Sequence, residues 1–139
     1  MQIQPYLFFN GRCEEAVEFY KKTLGAKQGR FMRYKDSPEP PPPGMVPPGY
    51  EGKVIFTELQ VGDSVVMACD DATKTITGFQ GFRLSLSVAN EADAKRVFAA
   101  LANGGEVNMP LTKTFFSPCF GMLKDKFGVG WMIIVPAES

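Results

Sequence analysis

The chain contains no histidine among its 139 residues. That absence removes the commonest general base, the commonest transition-metal ligand and every Ser-His or Cys-His pairing. Any catalysis must fall to carboxylates, lysine, tyrosine, cysteine or a bound cofactor. Cysteine is scarce. Cys13, Cys69 and Cys119 are odd in number and widely spaced, with no C-x-x-C pattern. They form neither a disulfide framework nor a zinc motif, and no metal or other cofactor is expected from them. Each reads as a small buried hydrophobe, and a reducing cytoplasm is the expected location. Charge of one sign is lacking too, with 15 basic and 15 acidic residues. Long-range attraction to nucleic acid or to an anionic membrane needs a basic excess, so neither is an expected partner. No apolar run reaches the ~20 residues that span a bilayer. The start, MQIQPYLFF, lacks a basic segment and a small-residue cleavage site, so no signal peptide is expected. The densest basic cluster, Arg30, Arg33 and Lys35 with Phe31 and Tyr34, would alternate between the faces of a strand. It reads as a solvated face, with a binding patch as the alternative.

What is present is a patterned apolar chain, 45% hydrophobic, of a length that suits one domain with a sizeable core. Ile3–Phe9 predicts a strand. Asn10-Gly11 turns into a helix with Glu14 and Glu15 in its first turn, where the macrodipole favours negative charge. Ala16, Val17, Tyr20 and Leu24 recur at helical spacing, and Gly25 is placed as the C-terminal cap. Lys27–Lys35 reads as a second strand. Residues 37–49, SPEPPPPGMVPPG, hold seven of the eleven prolines and exclude helix or central strand. The segment reads as a surface insertion, or as a lid whose sticky part is Met45, Val46 and Tyr50. Recognition by a partner's aromatic groove is a further reading of these prolines. Lys53–Val61 and Ser64–Cys69 form a hairpin about Gly62-Asp63. That turn sets Val61 opposite Ser64, Leu59 opposite Val66, Glu58 opposite Met67 and Phe56 opposite Cys69.

A polar connection leads to a strand at Phe82–Ala89. Asn90 caps a second helix, with Asp93 at the third position and Ala94, Val97, Phe98 and Leu101 as its buried stripe. Gly104-Gly105 ends it. Glu106–Phe116 predicts a strand, open to interruption at Pro110, followed by Phe120–Lys124. The run Trp131–Val135, behind the turn glycines Gly128 and Gly130, closes the chain as a buried strand. Strand, helix and three strands therefore occur twice. The order implies an internal duplication, with module 1 at about 1–75 and module 2 at about 80–139 of one domain, 1–139.

The stretches PYLFFNGRCEEAVEFYKKTLGA (5–26), ELQVGDSVVMACD (58–70) and DKFGVGWMI (125–133) resemble the PhnB-like branch of the vicinal-oxygen-chelate superfamily. That superfamily includes glyoxalase I, extradiol dioxygenases and bleomycin-resistance proteins. The resemblance implies an α+β fold of two βαβββ modules, forming a curved mixed sheet of half-barrels around a cavity, with the helices on the outer face. It also implies a homodimer. Metal-using relatives hold four ligands on the first and last strands of each module. Carried over by motif, those positions are Pro5, Met67, Arg83 and Met132. Proline has no side-chain donor, arginine is cationic, and thioethers suit only soft metals, so no metal is expected. Phe56 stands where many PhnB-like chains have a further histidine.

The cavity this implies would be lined by Leu7, Phe9, Phe56, Met67, Cys69 and Met132, with Glu58 and Arg83 as its acid and base. Apolar walls with few polar groups suit a small-molecule ligand. Glu58 and Arg83 allow three readings. They form a structural salt bridge; or Arg83 takes an anionic group; or Glu58 is a general base. The leading expectation is metal-independent binding of a small molecule. The alternative is a lyase, isomerase or dioxygenase-like enzyme of the same superfamily using Glu58 as base. No G-x-G-x-x-G follows a strand, so nothing in the residues supports methyl transfer from a nucleoside cofactor.

Overall fold

A computed structural model of the chain describes residues 1–39, 46–73 and 78–137. It divides into two compact units, Met1–Thr77 and Gly78–Ser139. The fold class is α+β, and each unit is a βαβββ module. The strands group into two four-stranded mixed sheets, one in each unit, as two βαβββ modules require.

In the first unit, β1 (Tyr6–Phe9) leads to α1 (Cys13–Leu24), β2 (Lys27–Arg33), a 3-10 turn at Tyr34–Asp36, β3 (Val54–Val61) and β4 (Ser64–Asp70). The sheet order is β1-β4-β3-β2, with β1 parallel to β4 and the other pairs antiparallel. The expected hairpin register holds at Val61–Ser64, Leu59–Val66 and Glu58–Met67. The ladder ends at Thr57–Ala68, one pair short of Phe56–Cys69. Gly62 makes the turn at φ 58°, a conformation glycine adopts without strain. Helix α1 buries Ala16, Val17 and Tyr20, as its spacing predicts, together with Cys13, and Thr23 in place of Leu24.

The ends of some elements differ from expectation for local reasons. The first strand starts at Tyr6 rather than Ile3, which is exposed. Pro5 cannot donate to a ladder, although its carbonyl accepts the Met67 N–H at 2.9 Å. β2 stops at Arg33, where Tyr34–Asp36 tighten into the 3-10 turn. Of the proline-rich stretch, residues 40–45 lie outside the described residues, Met45 of the expected lid among them. Tyr50 is buried, its ring 5.9 Å from that of Tyr34.

The second unit repeats the order. β5 (Leu84–Ser87), α2 (Glu91–Ala102), β6 (Glu106–Thr112), β7 (Cys119–Lys124) and β8 (Gly130–Val135) form a sheet of order β5-β8-β7-β6, with β5 parallel to β8. The side chain of Asn90 accepts the Asp93 N–H at 2.8 Å, as a helix cap should. Ala94, Val97, Phe98 and Leu101 are buried. β5 is shorter than expected, and Phe82 before it is exposed. β6 continues through Pro110 with a break in register between Met109 and Thr112, because it is an outer strand that can do without one donor, and it ends at Thr112 rather than Phe116. Ser117 then ties the loop to β8, its hydroxyl 2.6 Å from the Val135 carbonyl.

Candidate functional site

Side chains alternate across a strand, so one anchored residue assigns a whole sheet face. In the first unit that anchor is Asp70, whose Oδ1 accepts the Cys13 N–H at the start of α1 at 2.9 Å. Asp70 and Ala68 therefore face α1, together with their partners Phe9 and Leu7. Met67 and Cys69 face the other way, with their partners Tyr6 and Phe8. Burial agrees: Leu7 and Phe9 are 2% and 4% exposed, whereas Tyr6 and Phe8 are 38% and 40% exposed. This corrects the expected site. Leu7 and Phe9 belong to the helix-covered core, and Tyr6 and Phe8 take their place beside Met67. Pro5, in step with Leu7, is likewise off the Met67 face.

The face away from α1 is lined with rings. Tyr6 and Phe8 have centroids 4.9 Å apart, and Tyr6 lies 6.2 Å from Phe56. Glu58 stands on the same face, opposite Met67. Burial raises the Tyr6 hydroxyl to about 12, with the Cys69 thiol adding to the effect. Burial also lifts Cys69 to about 11, against the opposing pull of the Tyr6 hydroxyl. Both groups are therefore neutral at physiological pH. Cys13 is driven up as well, by burial and then by the neighbouring Asp70 charge. All three cysteines are free and buried.

Glu58 and Arg83 each have a partner within their own unit. Glu58 pairs with Arg30, whose Nε donates to Oε1 at 2.7 Å. The Arg30 guanidinium lies 5.4 Å from the centre of the Phe56 ring. Arg83 instead donates from Nη1 to the Leu123 carbonyl at 2.9 Å and packs on Gly130, where a side chain would collide with it. Met132 is placed by Gly121, whose missing Cβ would meet Phe98 of α2 at 2.8 Å. Gly121 and its partner Ile133 face α2, so Met132 and its partner Met122 face away.

A metal does not fit the carried-over positions. Pro5 and Met67 lie on opposite faces of their sheet, Arg83 is bound to a carbonyl, and the remaining donors are thioethers. Among the described residues no group of three or more Cys, Asp and Glu side chains is arranged to hold a metal ion. No helix among them is long and apolar enough to cross a membrane.

Two buried carboxylates escaped the sequence reading. Asp70 accepts N–H groups from Gly11 and Cys13 on Oδ1 and from Val54 on Oδ2, at 2.9, 2.9 and 3.0 Å. Asp125 accepts those of Phe127 and Val129 on Oδ1, at 2.9 and 3.1 Å, and the Trp131 indole N–H on Oδ2 at 2.9 Å. Both sit just past or at a strand end and hold a turn to it. Nothing short of the tertiary contacts separates them from solvated turn residues. Their committed oxygens make them framework rather than reacting groups.

Residues 1–134 match the model of the 3-demethylubiquinone-9 3-methyltransferase family. The chain belongs to that family. Protein YjdN of Escherichia coli K12 is 34% identical, over all of this chain and 98% of its own length. The crystal structure of PA1353 from Pseudomonas aeruginosa is 40% identical, covers 99% of each chain and superposes with a TM-score of 0.87. The PhnB protein of Bacillus cereus is 29% identical, covers 97% of this chain and 99% of its own, and has a TM-score of 0.80. The fold is shared with a glyoxylase/bleomycin resistance protein/dioxygenase domain from Frankia, 13% identical with a TM-score of 0.71, as the resemblance to the PhnB-like branch implies. Three amides at the described helix starts are not open to the methyl donor that the family's description implies. In this member, the Gly11 and Cys13 amides at α1 are taken by Asp70, and the Asp93 amide in α2 by Asn90.

Proposed function

We propose that this family member binds a small organic molecule, without a metal, on the ring-lined face of its first sheet. The observation that carries the reading is the half-exposed cluster of Tyr6, Phe8 and Phe56 beside Glu58, on the side that α1 leaves uncovered. Apolar rings with one acid and one base are the usual make-up of a ligand surface. Met67 and Cys69 complete it, and Met132 and Arg83 belong to the second unit. The buried free cysteines support a reducing cytoplasmic setting, and we assign the protein as a homodimer. Native mass spectrometry with a thermal-shift screen of aromatic compounds tests this. The expected result is metal-free protein whose Tm rises with ligand, and a rise abolished by Tyr6→Ala or Phe8→Ala. A divalent ion retained stoichiometrically would overturn it.

A second reading makes Glu58 a general base of a lyase or isomerase. It is favoured by one observation: Arg30 engages Oε1 and leaves Oε2 toward Gly29, where no side chain intervenes. Glu58→Gln should then abolish turnover while leaving the fold unchanged. Full activity in that variant would remove Glu58 from the chemistry.

A further inference from the structure

We infer that the ligand of this face is an aromatic carboxylate, taken end-on by the Arg30 guanidinium. The inference rests on the binding reading above and adds the chemical class.

Arg30 sits where β2 breaks register, between Gln28 and Phe31. Such an irregularity re-aims a side chain, and here it brings the guanidinium over Phe56. A guanidinium has two forks that match a carboxylate, one at its side and one at its end. Glu58 takes the side, since Nε and Nη2 both reach its Oε1. Nη1, at the end, has no partner among the described residues, and the side chain is 80% exposed. Glu58 thus acts as a positioning residue that leaves the second fork presented beside the rings.

The surrounding charge has the matching sign. Lys27 pairs with Gln60 on the same face and lines, with Glu58 and Gly29, a cleft of about 100 Å³. Two cations against one carboxylate leave an excess that favours an anion and disfavours a cation. Gly29 keeps this cleft open, since a Cβ there would press on Glu58 at 3.4 Å. Tyr6, Phe8 and Phe56 supply the platform for a flat apolar body. A neutral aromatic would use the rings and leave the fork unpaired.

Three probes that share one ring system and differ in charge test this. NMR titrations of the full chain compare 2-naphthoate, 2-naphthalenemethanol and (2-naphthylmethyl)trimethylammonium. The expected result is amide shifts at Gly29, Phe56 and Met67, with naphthoate at least tenfold tighter than the alcohol and the ammonium weakest. Arg30→Ala should remove that preference, bringing naphthoate and the alcohol to within threefold of each other. Arg30→Lys, which keeps the charge and loses the fork, should lose at least threefold for naphthoate. Equal binding of acid and alcohol would overturn the carboxylate assignment and leave the binding face intact. So would an ammonium that binds best. Absence of shifts on this face with every probe would overturn both.

Discussion

The Asp70 carboxylate and the Cys13 amide are hydrogen-bonded at 2.9 Å, so the last residue of β4 caps the helix that begins nearly the full module away in sequence. Arg12, at the cap position itself, contributes no side-chain bond to it. The same carboxylate holds Gly11 and Val54. Helix start, loop and β3 thus converge on one buried acid.

Asp70→Ala should therefore cost about 3–5 kcal/mol, because two buried N–H groups and a partly buried one lose a charged acceptor. Asp70→Asn, which keeps one acceptor oxygen, should cost about 1–2 kcal/mol. Urea denaturation followed by circular dichroism measures both. A loss below about 1 kcal/mol for the alanine variant would show that water replaces the carboxylate.

Asn90→Ala should cost about 1 kcal/mol, the ordinary worth of a helix cap, since the Asn90 bond to Asp93 lies at the surface. The contrast with Asp70 is the informative part. The caps of the two equivalent helices, one from a distant strand and one local, should differ severalfold in the same denaturation experiment. Equal losses would contradict the difference in burial.

Gly121→Ala should destabilise by about 1–3 kcal/mol through overpacking. Its Cβ would meet Phe98 Cε2 at 2.8 Å and the Met109 carbonyl at 3.0 Å. Combining it with Phe98→Leu, which withdraws the ring atom, should recover part of the loss. A double variant whose losses simply add would show that Phe98 is not the obstacle.

Stability should fall as pH rises from about 9 to about 11. Burial lifts the folded Cys69 thiol from 9.0 to about 11. The folded state then holds a proton that the unfolded chain has released, so the stabilisation is complete below pH 9 and is lost as pH climbs through the folded value. Cys69→Ala should lessen this slope in denaturation curves taken across that range, with buried Cys13 and Tyr6 carrying the remainder. For the same reason, Cys69 in folded protein should react with a thiol reagent at pH 8 only as fast as the protein opens.

Much of the architecture was legible because its signals are local. Asn90, Gly62 and the stripe Ala94–Leu101 each act within a few residues, and each sits where its spacing places it. The hairpin register followed from a single turn. The facing of β1 was not legible, because Tyr6, Leu7, Phe8 and Phe9 are apolar on both sides and offer no alternation to read. Whether Leu7 or Phe8 goes inward is decided by pairing with β4, and Asp70 reveals that only through its bond to Cys13. The Arg30–Glu58 pair was hidden for a related reason. A break in strand register moves a side chain without leaving a mark in the residue pattern.

The irregular outer strands have a bearing on solubility. β2 and β6 each lie at the rim of their sheet, and each breaks register twice. β2 carries Lys27, Arg30 and Arg33, and β6 carries a proline that lacks a donor. A flat, regular rim would template the addition of further chains and seed fibrils. These rims are bent, charged or short of a hydrogen, so β2 and β6 should not serve as templates for strand addition in concentrated protein.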